Sequence, residues 1–388
     1  MDYQKRFEEI RDFLKAHTYL HELELLERFE EDLSPKYKKW SDELGSLSIN
    51  EILSIENNYE FSFIKDSTLR DFIKTAKDLS KIEQKKLDSP SIDDNIKRKM
   101  NKKKVHEISK ITSLLKDSTH ERIIDIGSGA GHLSSALVNE HRNSICIDSN
   151  KEFQSMGEEK LKRWSPKTLE SIEFINKEIQ NDDQLNQYIN KDTLFIGLHS
   201  CGALSSTLVQ LNPDHLLNFG CCYHKLEKEY NLSAASLNSP IWFTNHAKTS
   251  AAKGHAYLSE KDFENKFIVK RFRYTLHYFL KDKFQDSFVT LGNAKKHDYL
   301  GPFSDYAHSY CKKTLSFTKE ELEKYYKENI HFIDSVIKAG TLRSLLGRLI
   351  ELYIILDRAL FLIENGRAAN IFEVFERELS PRNIAIYY

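Results

Sequence analysis

One stretch decides the fold: Asp125-Ile126-Gly127-Ser128-Gly129-Ala130-Gly131-His132. The apolar run Arg122-Ile123-Ile124-Asp125-Ile126 precedes and enters it, and a helical pattern over residues 132–140 follows. A short strand that stops in glycines and restarts as a helix is a turn in which the backbone must bend sharply and approach a ligand without a Cβ in the way. The spacing is GxGxG. A dinucleotide fingerprint would want its third glycine where His132 stands, and it would hold a pyrophosphate on the helix N-terminus. S-adenosylmethionine has no phosphate. Its amino-acid end needs an anion-tolerant loop with an acid nearby, and Asp125 supplies that acid.

Outward from the loop, strands and helices alternate. Residues 144–147 form a second apolar run closed by Asp148, residues 153–164 read as a helix, and 171–175 as a third strand. Residues 193–198 and 216–222 are the fourth and fifth strands, with a helix over 204–211 between them. That alternation implies a parallel sheet covered on both faces. Asp148 lies at the end of the second strand, where a carboxylate accepts hydrogen bonds from both ribose hydroxyls of an adenosine. The expected cofactor residues are therefore Asp125, Gly127, Ser128, Gly129, Gly131 and His132 of the loop, Asp148 and Ser149 after the second strand, and His199 after the fourth.

On either side the reading is helical. In residues 1–100, Phe7, Ile10, Phe13 and Leu14 recur at three- and four-residue steps, as do Leu23, Leu26 and Phe29. A turn at 45–50 offers Ser48 or Asn50 as a helix cap. Beyond Ser250 the segments 260–281, 303–314 and 318–366 read mainly as helices, and two short apolar runs, 369–375 and 383–388, flank Ser380-Pro381-Arg382. The fold class is thus α/β, a Rossmann-like class I methyltransferase sheet. The organisation expected is a helical N-terminal region over 1–100, a core over 101–250, a helical insertion over 251–366, and strands over 367–388 that complete the sheet.

Composition fits that reading. The chain has 388 residues, which suggests two or three domains, and only 14 Gly and 7 Pro, which favours long helices over many turns. Lys and Arg number 57 against 58 Asp and Glu, so the overall balance points to no polyanionic partner. Five irregularly spaced cysteines suit a reducing compartment, and a charged first twenty residues suit a cytoplasmic protein. The most apolar late stretch, 345–363, carries Arg348, Glu351, Asp357 and Arg358, which argues for a buried amphipathic helix and against a membrane span.

The segment Gly197-Leu198-His199-Ser200-Cys201-Gly202-Ala203-Leu204-Ser205, followed by Gly220-Cys221-Cys222-Tyr223-His224-Lys225-Leu226, resembles the methyltransferase-like protein 25 family. So do Asn101-Lys102-Lys103-Lys104-Val105-His106-Glu107-Ile108 ahead of the loop, and Leu356-Asp357-Arg358 with Leu379-Ser380-Pro381-Arg382-Asn383 near the end. The resemblance spans about residues 100–388 and implies a Rossmann-like fold with S-adenosylmethionine as methyl donor. A more distant similarity is to the eukaryotic tRNA acceptor-stem 2′-O-methyltransferases, which carry a comparable His-x-Cys-Gly after the fourth strand and append a zinc-finger module that is not evident here.

Ligands of open parallel sheets lie at the carboxyl ends of the strands. That places His199 and Cys201, with Cys221, Cys222, Tyr223 and His224, beside the methyl acceptor. Three readings remain open. His199 or His224 acts as a general base, with Tyr223 helping to align or deprotonate the acceptor. Alternatively, the cysteines are compact buried hydrophobes and the histidines bond locally. Or His199, Cys201, Cys222 and His224 hold a metal, although the spacing is not that of a zinc knuckle and no metal is expected. The basic segments 97–104 and 266–273 read as solvated helix faces before phosphate contacts, and Tyr306, His308 and Tyr310 as packing residues. The function expected is methyl transfer to an oxygen or nitrogen on RNA or protein, without a membrane partner. A non-catalytic S-adenosylmethionine-binding scaffold and an NAD-linked oxidoreductase are the alternatives.

Overall fold

The computed structural model of the chain describes residues 2–22, 26, 35–179, 182–227, 230–253, 255–285 and 294–388. Among the described residues seven strands form one sheet: β1 (Arg122–Ile126), β2 (Asn143–Asp148), β3 (Ile172–Asn176), β4 (Thr193–Cys201), β5 (His215–Cys221), β6 (Asn370–Glu373) and β7 (Ile384–Tyr387). Their order is β3-β2-β1-β4-β5-β7-β6. The first five strands pair in parallel, and β7 runs antiparallel to both β5 and β6. This is an α/β sheet of the Rossmann-like kind expected from the sequence, with the two terminal strands at its far edge. The order reverses between β1 and β4, and such a switch point opens a crevice at the strands' carboxyl ends.

The central strands are apolar on both faces because both are covered. The helices that matter to the site are α1 (Tyr3–Ala16), α2 (Lys102–Leu114), α3 (His132–Leu137), α4 (Lys151–Trp164), α5 (Ala203–Gln210) and α6 (Thr341–Glu364). On one side, Ile108 and Ile111 of α2 and Leu133 and Leu137 of α3 pack with Ile123, Leu194, Ile196, Leu217, Phe219 and Phe375. Asn101 caps α2 by accepting from the Lys104 amide at 2.8 Å. The helix expected over 132–140 stops at Leu137, where Val138 turns extended.

The late apolar stretch lies within α6, and its charges Arg348, Glu351, Asp357 and Arg358 are buried. Arg348 bonds Glu351 at 2.6 Å and Asn383 at 3.0 Å, Arg358 bonds Ser205 and Ser206 at 2.8 Å each, and Asp357 accepts from Leu232, Ser233 and Ser236. An unpaired buried charge is costly. These charges instead tie α6 to α5, to the loop after β5 and to the final hairpin. No helix among the described residues is long and apolar enough to cross a membrane.

The chain divides into two compact units: residues 1–18, 79–256 and 346–388 in one, and 19–78 with 257–345 in the other. The expected regions 1–100 and 251–366 are therefore each divided between the two units. Helix α1 belongs to the sheet unit because Phe7, Ile10 and Leu14 are fully buried and Phe7 packs on Tyr353 at 4.8 Å. In the second unit, Ser48 caps the helix Ile49–Asn58 in a capping box with Glu51, as the turn signal suggested. There Arg271 makes a bidentate pair with Asp334 at 2.6 and 2.7 Å, and Tyr306 is packed among Phe272, Tyr299 and Phe303. The span 318–366, expected to be mainly helical, is two helices, Lys319–Ala339 and Thr341–Glu364. The expected Leu23 and Phe29 periodicity lies outside the described residues.

Candidate functional site

The loop after β1 is left-handed at all three glycines, with φ of 72°, 56° and 64° at Gly127, Gly129 and Gly131. Gly131 starts α3, and a Cβ there would stand 2.9 Å from the ring of Phe174, so only glycine fits. A Cβ on Gly129 would meet nothing within 4 Å. The space over the loop is thus open, and a ligand can lie against bare backbone.

Asp148 clasps this loop. One carboxylate oxygen accepts from the Gly129 amide at 2.7 Å and the other from the Asn150 amide at 2.7 Å. A carboxylate has about four acceptor positions, so capacity remains for hydroxyl donors. Ser149 follows, exposed to solvent. Asp125 lies deeper than the sequence implied. Only 2% exposed, it accepts from Ser134 Oγ at 2.8 Å. Burial, with Asp148 adding repulsion, pushes its carboxyl up to about 6 against the Ser134 hydrogen bond. Ser128 stands in the loop, its amide 3.3 Å from the Ile147 carbonyl.

His132 opens α3, with Nδ1 3.1 Å from Lys160 Nζ. Burial and the nearby Lys160 and Lys104 push its imidazole down to about 3, so the ring is neutral and accepts from the ammonium. It lines a cavity of about 390 Å³ beside the loop, with Gly129, Lys104, Lys160, Arg163 and Trp164 around it. Part of the basic segment 97–104 therefore faces a cavity, since Lys99 and Lys104 both line it.

At the end of β4 the register skips between Leu198 and Ser200, and His199 takes a left-handed φ of 63°. Such strain in a non-glycine residue concentrates at functional sites. The bulge sends the imidazole to α2, where Nε2 lies 3.0 and 3.1 Å from the two oxygens of Glu107. Glu107 is 1% exposed and also accepts from Ser380 Oγ at 2.6 Å, with Lys103 at 3.5 Å. Burial alone would raise the Glu107 carboxyl, but His199, Ser380 and Lys103 outweigh it and hold the group below its ordinary value. An ionised carboxylate only accepts, so Nε2 carries the proton and Nδ1 carries the lone pair in the neutral ring. Nδ1 is buried and has no hydrogen-bond partner. The sequence reading missed Glu107 as a partner. Only its place within the quoted stretch ahead of the loop hinted at it.

The other expected strand-end residues separate. Tyr223 is a correction to its expected part in acceptor chemistry. It is 1% exposed, and its hydroxyl is committed to the Gly220 carbonyl and to Glu351, each at 3.2 Å. Burial and the Glu351 charge raise its phenol well above the ordinary value, so it supports β5 instead of meeting an acceptor. His224 is exposed in the short turn after β5. Cys201 and Cys222 come together with Cys221, and neither His199 nor His224 joins their group. Hydrogen bonding with Cys221 lowers the Cys201 thiol below its ordinary value, while the same bond and burial push Cys221 up.

A family model described as a methyltransferase domain matches residues 102–229, the segment from α2 through the turn after β5. Two solved structures share similarity with the chain. One is described as a protein-L-isoaspartate O-methyltransferase from Plasmodium falciparum in complex with S-adenosyl-L-homocysteine. It is 22% identical with a TM-score of 0.25, and the match covers 30% of this chain and 59% of that one. The other is coclaurine N-methyltransferase bound to N-methylheliamine and SAH, 13% identical with a TM-score of 0.24, covering 89% of this chain and 90% of that one. The fold of the core is carried by the strand order itself and by the match over 102–229.

Proposed function

We propose that this protein is an S-adenosylmethionine-dependent methyltransferase that acts on an oxygen or nitrogen acceptor of RNA or protein. The observation that carries the reading is the open glycine loop clasped by Asp148 at the end of β1, together with a histidine held by a buried carboxylate at the end of the neighbouring β4. Gly127, Gly129 and Gly131 offer bare backbone to the donor, Asp148 offers acceptors for ribose hydroxyls, and the buried Asp125 at the start of the loop offers a negative charge to the donor's ammonium. When bound, S-adenosylmethionine supplies an electrophilic methyl group with a good leaving group attached.

The protein's remaining task is to orient the acceptor and take its proton. Glu107 fixes the His199 ring with Nε2 protonated, which leaves the Nδ1 lone pair as the base; because that nitrogen is buried, a hydroxyl or amine reaches it only when the end of β4 opens to admit the acceptor. The Glu107 charge then faces the imidazolium that forms. Methyl transfer is an in-line displacement, so positioning supplies much of the rate.

Thermal shift and calorimetry with S-adenosylhomocysteine, NAD and NADP test the donor assignment. At about 100 times its dissociation constant, S-adenosylhomocysteine should stabilise the protein by about 2.7 kcal/mol, and the dinucleotides should not. Stabilisation by NAD alone refutes it. For the base, His199→Ala should lower turnover by about 10²–10⁴-fold while leaving S-adenosylhomocysteine affinity nearly unchanged. An unchanged rate would remove His199 from the chemistry.

A further inference from the structure

The ends of β4 and β5 gather three thiols. Cys201 Sγ is 3.2 Å from Cys221 Sγ and 3.4 Å from Cys222 Sγ, and the last two are 3.7 Å apart. Two features of the backbone cause this. Cys201 and Cys221 are register partners in parallel strands, so their side chains leave the sheet on the same face. Cys222 would point to the opposite face if the strand continued, but its backbone turns left-handed, with φ of 52°, and its thiol swings back to the other two. That conformation costs about 1–2 kcal/mol in a non-glycine residue. All five cysteines are free thiols.

The spacing is that of ligands around one ion. A tetrahedral Zn–S bond of about 2.3 Å places neighbouring sulfurs about 3.8 Å apart. The longest of the three separations already has that value within 0.1 Å, and the others need to open by a few tenths of an ångström. Among the described residues no fourth His, Cys, Asp or Glu atom joins the group. Three thiolates around a divalent ion leave a net charge of −1. Lys225 and Arg382 both act electrostatically on these sulfurs, and Arg382 Nε is buried without a hydrogen-bond partner.

We propose that Cys201, Cys221 and Cys222 form a three-thiolate site for a thiophilic d¹⁰ cation, Zn²⁺ first among them, with a fourth position open to water or to a ligand heteroatom. Thiolate ligands select Zn²⁺ and Cu(I) over the hard cations, and a three-ligand site with an open position is the arrangement of reactive rather than structural zinc. Cys201 and Cys222 are partly exposed, which gives an ion a path in. The inference stands on thiol geometry and is independent of the donor assignment.

The full chain, reduced, stripped with a chelator and titrated with Co²⁺ as a spectroscopic stand-in, should bind one equivalent. Binding should produce thiolate-to-metal charge-transfer absorption in the near ultraviolet, and Zn²⁺ should displace it. Cys201→Ser and Cys222→Ser should each weaken Zn²⁺ binding by tenfold or more while S-adenosylhomocysteine affinity by calorimetry stays unchanged. If a serine variant fails to fold, the Co²⁺ titration of the unaltered chain and protection of its thiols from iodoacetamide by Zn²⁺ decide the question. Absence of charge-transfer absorption, or serine variants with unaltered Zn²⁺ affinity, overturns the proposal. Loss of S-adenosylhomocysteine binding in the unaltered chain would count against the donor assignment and not against the metal site.

Discussion

Replacing Asp125 with asparagine should make the sheet unit more stable near pH 8 and at the same time a poorer donor site. The side chain is 2% exposed, and burial pushes its carboxyl up from 3.8 to about 6. That is about two units at about 1.36 kcal/mol each, or about 3 kcal/mol. The sign follows from linkage. A group whose pKa is raised in the folded state contributes stability that is fully present below pH 3.8 and is lost as pH rises through 6. The native protein therefore loses about 3 kcal/mol to Asp125 between these limits, whereas asparagine does not ionise and its amide oxygen still accepts from Ser134 Oγ. Hydrogen exchange of the β1 and β2 amides, compared at pH 4 and pH 8, reads this locally in a chain of two units that need not unfold in one step. The variant should gain up to about 3 kcal/mol of protection at pH 8, and the gain should vanish toward pH 4. Its affinity for S-adenosylhomocysteine should fall by about tenfold or more, because an interaction with a charged group contributes about 1.5–3 kcal/mol. A variant less protected at pH 8, with donor affinity unchanged, would refute the reasoning, since Asp125 would then be a settled structural anion.

Two further substitutions probe the loop. Asp148→Ala should weaken S-adenosylhomocysteine binding by about 1.5–3 kcal/mol in calorimetry, because it removes both the expected ribose acceptors and the clasp on the Gly129 amide. Unchanged affinity in a folded variant means that the ribose is held elsewhere. Gly131→Ala should lower the melting temperature through about 1–2 kcal/mol of left-handed strain plus the 2.9 Å approach to Phe174. Adding Phe174→Leu should recover the steric part and not the strain, and full recovery would show that φ at this position is not the constraint.

The candidate site was partly legible before the fold. The glycine loop, Asp148 and the strand-end histidine each carry a signal within a few residues: a turn chemistry, an acid closing an apolar run, a polar group after a strand. Tyr223 carried the same kind of signal and was misread, because whether a strand-end hydroxyl faces a cleft or a buried glutamate depends on α6, which begins more than a hundred residues later. Glu107 was named in the resemblance but not in the chemistry, since nothing local to it marks a carboxylate 92 residues from its histidine as a partner.

The sequence by itself determined the α/β class, the succession of the first five strands, the loop between β1 and α3, and the terminal strand pair. These follow from periodicity and glycine placement, which the backbone reads over one or two turns. Only the tertiary structure decided that α1 joins the sheet unit, that Arg348, Glu351, Asp357 and Arg358 of α6 are internal ties, and that Cys221 completes the thiol group in place of His199 and His224. Periodicity records which face of an element is apolar. It does not record which distant face will cover it, and burial, pKa shift and ligand geometry are all properties of that meeting.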